Sequence, residues 1–252
     1  MKICLCQFDI IWENKQGNKQ KIQTLVSGLE KTQVDLLIFP ETTLTGFSFN
    51  EITVITREDI AFFADIAKTY NTHVCFGGIY DNKNMCFSIN PEGTLISQTG
   101  KIHLFSPSGE QAYHLPERTI TSFTIGNTRL TPFICYDLRF APLFWTPAEK
   151  TDIFIVIANW PEKRTKHWKI LLQARAIENQ AFVVGVNRTG ESPHEKYCGD
   201  SCVIDPWGNV VLDAENEEGI FICYIQVEQL EEIRKSFPVL KDRLAFSEYE
   251  KL

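Results

Sequence analysis

The chain has no long run of Lys or Arg, and its 25 basic residues are outnumbered by 32 acidic ones, for a formal charge of -7. Nucleic acids and anionic membranes are held by clustered cations, so both are disfavoured as partners. No apolar stretch approaches the ~20 residues that a spanning helix needs. The N-terminal Met1-Lys2-Ile3-Cys4-Leu5-Cys6-Gln7-Phe8-Asp9 turns polar too soon for a secretory h-region. A cytoplasmic setting is therefore expected, with the eight cysteines as free thiols rather than disulfides. There is no phosphate-binding glycine loop, no dinucleotide fingerprint and no zinc spacing. Cys198 and Cys202 are not joined by a second ligand pair. Ser48, in Gly46-Phe47-Ser48-Phe49-Asn50, lacks the second glycine of a nucleophile elbow. No Pro/Gly/Ser-rich linker divides the chain, and residues 1–252 read as one domain.

What is present is an alternation of short apolar runs with helical periodicity. Residues 2–9, 34–39, 73–80, 84–90 and 94–99 read as strands. Residues 18–31 and 58–69 carry one apolar helix face each, the first through Ile22, Leu25, Val26 and Leu29. The second half repeats the order, with strands at 120–125, 129–136, 152–158, 181–187, 201–205, 209–213 and 219–225. Its helical segments are 139–148, 165–180 and 227–236. Residues 152–158 are almost continuously apolar, as in a strand buried on both faces. Asn90-Pro91-Glu92-Gly93 and Asp205-Pro206-Trp207-Gly208 are two turns of one design, with proline presetting one angle and glycine supplying a positive φ. Two βα halves with their bare sheets face to face predict four layers: helix, sheet, sheet, helix.

Three residues stand out because their chemistry does not match their apolar settings. Cys135 lies where the run Phe133-Ile134-Cys135-Tyr136-Asp137-Leu138-Arg139 should leave its strand. A cysteine alone is more often a small buried hydrophobe, but a thiol beside a base or a cation becomes a nucleophile. Glu41 follows Phe39-Pro40. It can cap a loop, or act as a general base whose pKa burial pushes toward neutrality. Lys101 precedes Ile102-His103-Leu104-Phe105. It can be a surface lysine, or an ammonium that lowers the thiol's pKa and holds an oxyanion. Glu110 could orient that ammonium or a hydrolytic water. Tyr136 and Trp160, at strand ends, could wall a substrate pocket or simply fill the core. For a substrate carboxylate, Arg139, Arg164, Arg175 and Arg188 all remain open, although Arg139 could instead pair with Asp137. His167, in Lys166-His167-Trp168, offers a rival thiol partner but reads better as a cap or surface residue.

Phe39-Pro40-Glu41, Gly100-Lys101-Ile102-His103-Leu104-Phe105 and Ile134-Cys135-Tyr136-Asp137-Leu138-Arg139-Phe140, taken together and in this order, resemble the nitrilase superfamily of carbon–nitrogen hydrolases. The resemblance covers nearly the whole chain. It implies an αββα sandwich, with Glu41 as base, Lys101 as oxyanion and orienting residue, Cys135 as nucleophile and Glu110 as supporting glutamate. Glu41-Thr42-Thr43-Leu44-Thr45-Gly46-Phe47, Asn159-Trp160-Pro161, His167-Trp168, Ala174-Arg175-Ala176-Ile177-Glu178-Asn179-Gln180 and Val186-Asn187-Arg188 are similar to the omega-amidase branch, which cleaves the terminal amide of 2-oxo acids. One departure is that the proline expected directly after Phe140 is displaced to Pro142. The resemblance implies a small amide substrate, no cofactor or metal, and a homodimer or larger assembly using residues around 139–148 and 237–252. A related hydrolase acting on a carbamoyl-amine, a beta-ureido acid, a deaminated thiol peptide or a nitrile is the alternative.

Overall fold

Along Ile153–Ala158, odd and even residues go to different places although all six are buried. Ile153, Ile155 and Ile157 pack with Leu5, Ile38, Val184 and Val186, whereas Phe154, Val156 and Ala158 pack with Trp168 and Leu172. A strand sends successive side chains to opposite faces, so this strand has an apolar layer on each side. The computed structural model, which describes residues 1–29, 33–244 and 248, builds the whole fold on that pattern.

The first half comprises β1 (Lys2–Gln7), α1 (Lys15–Ser27), β2 (Leu36–Ile38), α2 (Arg57–Tyr70), β3 (His73–Tyr80), β4 (Lys83–Ile89) and β5 (Leu95–Gly100). The second comprises β6 (Phe123–Ile125), β7 (Thr128–Ile134), α3 (Ala141–Trp145), β8 (Ile153–Ala158), α4 (Thr165–Asn179) and β9 (Phe182–Asn187). It continues with β10 (Thr189–Glu191), β11 (Lys196–Cys198), β12 (Cys202–Ile204), β13 (Val210–Asp213), β14 (Gly219–Tyr224) and α5 (Gln229–Ser236). Two six-stranded mixed sheets result, ordered β14-β1-β2-β3-β4-β5 and β13-β12-β9-β8-β7-β6.

Three apolar layers hold the sheets and helices together. Ile22 and Val26 of α1 and Phe63 and Ala67 of α2 cover Cys4, Cys6, Leu37 and Phe76 on the outer face of the first sheet. The middle layer lies between the sheets, and the third joins the second sheet to α3 and α4. Each large aliphatic side chain fully buried in these layers contributes about 1.5–3 kcal/mol. The four-layer αββα sandwich expected from the sequence is what forms.

Local signals set the boundaries. Helix α2 opens on a capping box of Thr56 and Asp59 and ends on Asn71 in the left-handed region. The two proline–glycine turns do close hairpins of one design. Asn90 and Asp205 each use a side-chain oxygen to accept the N–H four residues on, and Gly93 and Gly208 have φ of 79° and 84°.

The structure differs from the sequence reading in five places. Strand β14 does not stay with the second half but pairs antiparallel with β1, so the last strand completes the first sheet. Residues 139–148 are not one helix: a 3-10 turn spans Cys135–Arg139, and α3 covers only Ala141–Trp145, with Pro142 in its first turn. Strand 120–125 shortens to Phe123–Ile125, and the hairpin β10–β11 appears where no strand was expected. The helix expected at 18–31 spans Lys15–Ser27, and residues 30 and 31 lie outside the described residues. In the C-terminal stretch Leu240 is buried while Phe237 and Leu244 are exposed, and Phe246 and Tyr249 lie outside the described residues. Among the described residues no helix is long and apolar enough to cross a membrane.

Candidate active site

Glu41, Lys101 and Cys135 each follow the C-terminal end of a strand: β2, β5 and β7 respectively. Facing sheets bring those ends to one side of the sandwich, where a cavity of about 340 Å³ is lined by all three. Unusual backbone lies at or beside two of the three. Cys135 itself has φ +47° and Thr42, directly after Glu41, has φ +41°. A non-glycine residue there stores on the order of 1–3 kcal/mol, and the surrounding fold must hold it. Gly77 on β3 shows how tightly. A Cβ at that position would stand 2.6 Å from the Thr42 nitrogen and 2.7 Å from the Glu41 Cα.

Glu41 is fully buried and uses both carboxylate oxygens. Its Oε1 accepts from Lys101 Nζ at 3.0 Å and from Asn84 Nδ2 at 2.8 Å. Its Oε2 accepts the Asn159 backbone N–H at 2.8 Å, with Asn159 Nδ2 farther away at 3.4 Å. Lys101, equally buried, lies 3.0 Å from Glu110 Oε2 as well, so one ammonium stands between two carboxylates. Glu110 is fixed in turn by the Phe105 N–H at 2.6 Å. The Lys101 ammonium also lies over the Phe47 ring at 5.0 Å.

These contacts set the charge states. Burial alone would raise the Glu41 carboxyl, but the Lys101 charge and the bonds from Asn159, Lys101 and Asn84 hold it below the usual carboxylate range. The expectation that burial moves Glu41 toward neutrality is therefore corrected. Burial would lower Lys101, yet Glu41, Glu110 and Cys135 hold its ammonium above an ordinary lysine. The Cys135 thiol is pushed well up, first by burial and then by the Glu41 charge, and Lys101 offsets this only in part. At rest the site thus holds a carboxylate, an ammonium and a protonated thiol, so the thiol needs a base.

Tyr136 and Trp160 both line the cavity. Of the four arginines, Arg139 and Arg164 line it too. The other two do not: Arg175 binds the Leu138 carbonyl and Glu178, and Arg188 binds Asp9 and backbone carbonyls. Arg139 is not paired with Asp137. Its guanidinium lies over the Trp160 ring at 4.6 Å and meets His167 Nδ1 at 3.3 Å. Asp137 instead accepts the backbone N–H groups of Ile102, His103 and Ile134, which ties the Cys135 turn to the segment after Lys101. His167 is exposed and does not line the cavity, so the Cys–His pairing has no geometric basis.

Sequence reasoning gave no role to Asn84 and Asn159. Both are buried polar residues at strands, Asn84 within β4 and Asn159 just past β8. A buried amide in an apolar run costs free energy without partners, and that was the available signal.

The carbon–nitrogen hydrolase family model matches residues 2–235. The chain is 33% identical to the 2-oxoglutaramate amidase of Bacillus subtilis, over 95% of each chain. It is 30% identical to the omega-amidase YafV of Yersinia enterocolitica, over 96% of each. Among solved structures, XC1258 from Xanthomonas campestris, a CN-hydrolase superfamily protein with an arsenic adduct in its active site, superposes with a TM-score of 0.91 at 30% identity, over 98% of each chain. The chain belongs to the carbon–nitrogen hydrolase family, on its omega-amidase-like branch.

Proposed function

We propose that this protein hydrolyses a small linear amide that carries a carboxylate at its far end, through a thioester on Cys135. The observation that carries the reading is the meeting of Glu41, Lys101 and Cys135 in one cavity. Glu41 takes the thiol proton, and the sulfur attacks the amide carbon as the C=O electron pair moves onto oxygen. Lys101 has three N–H donors and spends two on Glu41 and Glu110, which leaves one for the oxyanion. The Tyr136 N–H lies in the first turn after the strand, where no intrahelical carbonyl reaches it, and is the second donor. Glu41 returns the proton to nitrogen, ammonia leaves and the thioester remains. Water, deprotonated by Glu41, then attacks the thioester; the carboxylic acid departs, and the Cys135 sulfur recovers its proton. Glu110 holds Lys101 in place throughout.

The cavity wall supports the carboxylate. Arg139 has no carboxylate partner among the described residues, and Arg164 shares Glu195 only at 3.9 Å. The residues around Cys135 carry two carboxylates to one ammonium, and the cavity wall adds the guanidiniums of Arg139 and Arg164 and the Glu195 carboxylate. An amide at the Cys135 sulfur and a carboxylate on Arg139 match those charges. The names of the Bacillus and Yersinia relatives support the same substrate class. An arsenic adduct in the Xanthomonas protein fits a soft thiolate in a site of this kind. Eight free cysteines support a cytoplasmic setting. The test is ammonia release from 2-oxoglutaramate set against N-carbamoyl amino acids, neutral amides and nitriles. The reading expects kcat/KM for 2-oxoglutaramate to lead by at least about tenfold, one charge-assisted contact. A nitrile or carbamoyl substrate turning over faster would overturn it.

A further inference from the structure

Lys101 is not the only group that joins the two buried glutamates. Asn84 Nδ2 reaches Glu41 Oε1 at 2.8 Å and Glu110 Oε1 at 3.1 Å. Lys101 Nζ reaches the same two oxygens at 3.0 and 3.2 Å. Two donors and two acceptors form a closed diamond, out of reach of water. The Asn84 main chain joins in, because its carbonyl accepts the Lys101 N–H at 2.8 Å. The Asn84 Oδ1 has no partner. Leaving a buried amide oxygen unsatisfied is costly. A residue serving packing alone would not carry that cost, since an apolar side chain of the same shape avoids it.

The consequence falls on Glu41. Its Oε1 is occupied by two donors, one of them charged. Its Oε2 holds only one close donor, the Asn159 N–H at 2.8 Å. Each donated bond lowers the affinity of an oxygen for a proton. The less occupied oxygen is therefore the better proton acceptor.

We infer that Asn84 is a positioning residue for the reaction: with Lys101 it immobilises Glu41 through Oε1, and so reserves Oε2 to take the Cys135 proton. In that step the S–H bond breaks and an O–H bond forms on Oε2, with the electron pair left on sulfur. The inference rests on Glu41 being the base. The titratable and charged groups around Glu41 are Lys101, Glu110, Cys135 and Tyr197, and His114 stands beside Glu110 and Lys101. Of these, Glu110 alone shares the Asn84 donor, so a change at Asn84 loosens Glu110 together with Glu41.

The test is the pH profile of kcat/KM for Asn84→Leu, which keeps the volume without the donor, and for Asn84→Ala. With one donor lost, Glu41 binds its proton more strongly, so the acid limb moves to higher pH, by about one unit. Turnover at neutral pH falls about ten- to a hundredfold in both variants. Recovery of the wild-type profile in Asn84→Leu would mean that Asn84 only fills space. If both variants fail to fold, the isosteric Asn84→Asp decides. As a neutral acid it can donate and as a carboxylate it cannot, so activity should survive only on the acid side. A wild-type profile in Asn84→Asp would overturn the inference. The Glu41 assignment fails by a separate sign, turnover surviving in Glu41→Gln.

Discussion

Arg188 and Lys101 are both buried cations, and the molecule uses them differently. Arg188 gives its Nε and Nη2 to the carbonyls of Thr189, Ile10 and Glu191 and to the Asp9 carboxylate. Three of those four partners are main chain, so the guanidinium fastens the start of the β10 hairpin to the segment after β1. Among the described residues Lys101 gives its ammonium to no carbonyl. Its partners are two carboxylates that can take up protons, and a thiol stands next to them. A buried charge bonded mainly to the backbone serves as a rivet. A buried charge set among titratable side chains at the edge of a cavity fixes their charge states, and the proposed chemistry uses it. Burial alone does not separate the two cases, because both cations are almost wholly inaccessible.

The comparison can be broken by substitution, and the largest effect on turnover should come from Lys101→Met. Loss of the oxyanion donor removes about 3–4 kcal/mol of barrier lowering, a hundred- to thousandfold fall in kcat. The same variant should change sign in its pH dependence of stability. In the wild type Glu41 is held below its unfolded value, so it stabilises the fold above about pH 4.3 and that stability is lost as pH falls through the folded pKa. Without the ammonium, burial would make Glu41 bind its proton more strongly than in the unfolded chain. Its contribution to stability would then be present at low pH and lost as pH rises, as thermal melts of the variant and the wild type at several pH values will record.

A smaller effect is expected at Arg139. Arg139→Gln should raise KM for a carboxylate-bearing amide about tenfold and leave a neutral amide of the same length unchanged. An equal change for both substrates would mean that Arg139 holds the wall and not the substrate. The smallest effect on turnover belongs to Arg188→Met. It should cost about 3 kcal/mol of unfolding free energy, because buried carbonyls lose their donor, while kcat of the folded enzyme stays within a few-fold. A thousandfold loss of kcat with unchanged melting would erase the distinction between rivet and reagent.

Most of the architecture is legible in the sequence because burial on both faces leaves a simple mark. Residues 152–158 read as a doubly covered strand, and the structure sends alternate side chains of Ile153–Ala158 to two layers. The two proline–glycine turns are legible because their geometry needs those residues. The partner of β14 is not, since an amphipathic strand announces its existence but not its neighbour, and β1 lies more than two hundred residues away. The short β10–β11 hairpin is hidden by its polar tip. At the site, the residue types and their places after strands are readable. The network is not: Asn84 and Asn159 carry no charge or motif, and only the fold reveals what they donate to. Sequence proximity also misleads. Asp137 and Arg139 look like a pair, but the turn after Cys135 sends one to backbone N–H groups and the other to aromatic rings.

The direction of the Glu41 shift shows why chemistry is harder to read than fold. Burial is visible in the neighbours Phe39 and Pro40, and it argues for a raised pKa. Three donors from β4, the end of β5 and the end of β8 reverse the sign, and no local pattern joins them. The resting thiol follows from its burial and from the same arrangement, since the Glu41 carboxylate disfavours a thiolate beside it.

The most direct measurement is ammonia release from 2-oxoglutaramate by folded Cys135→Ala, with folding verified by its thermal transition. The account predicts no release above the rate without enzyme. Turnover within tenfold of the wild type would contradict it, because no other thiol lines the cavity among the described residues.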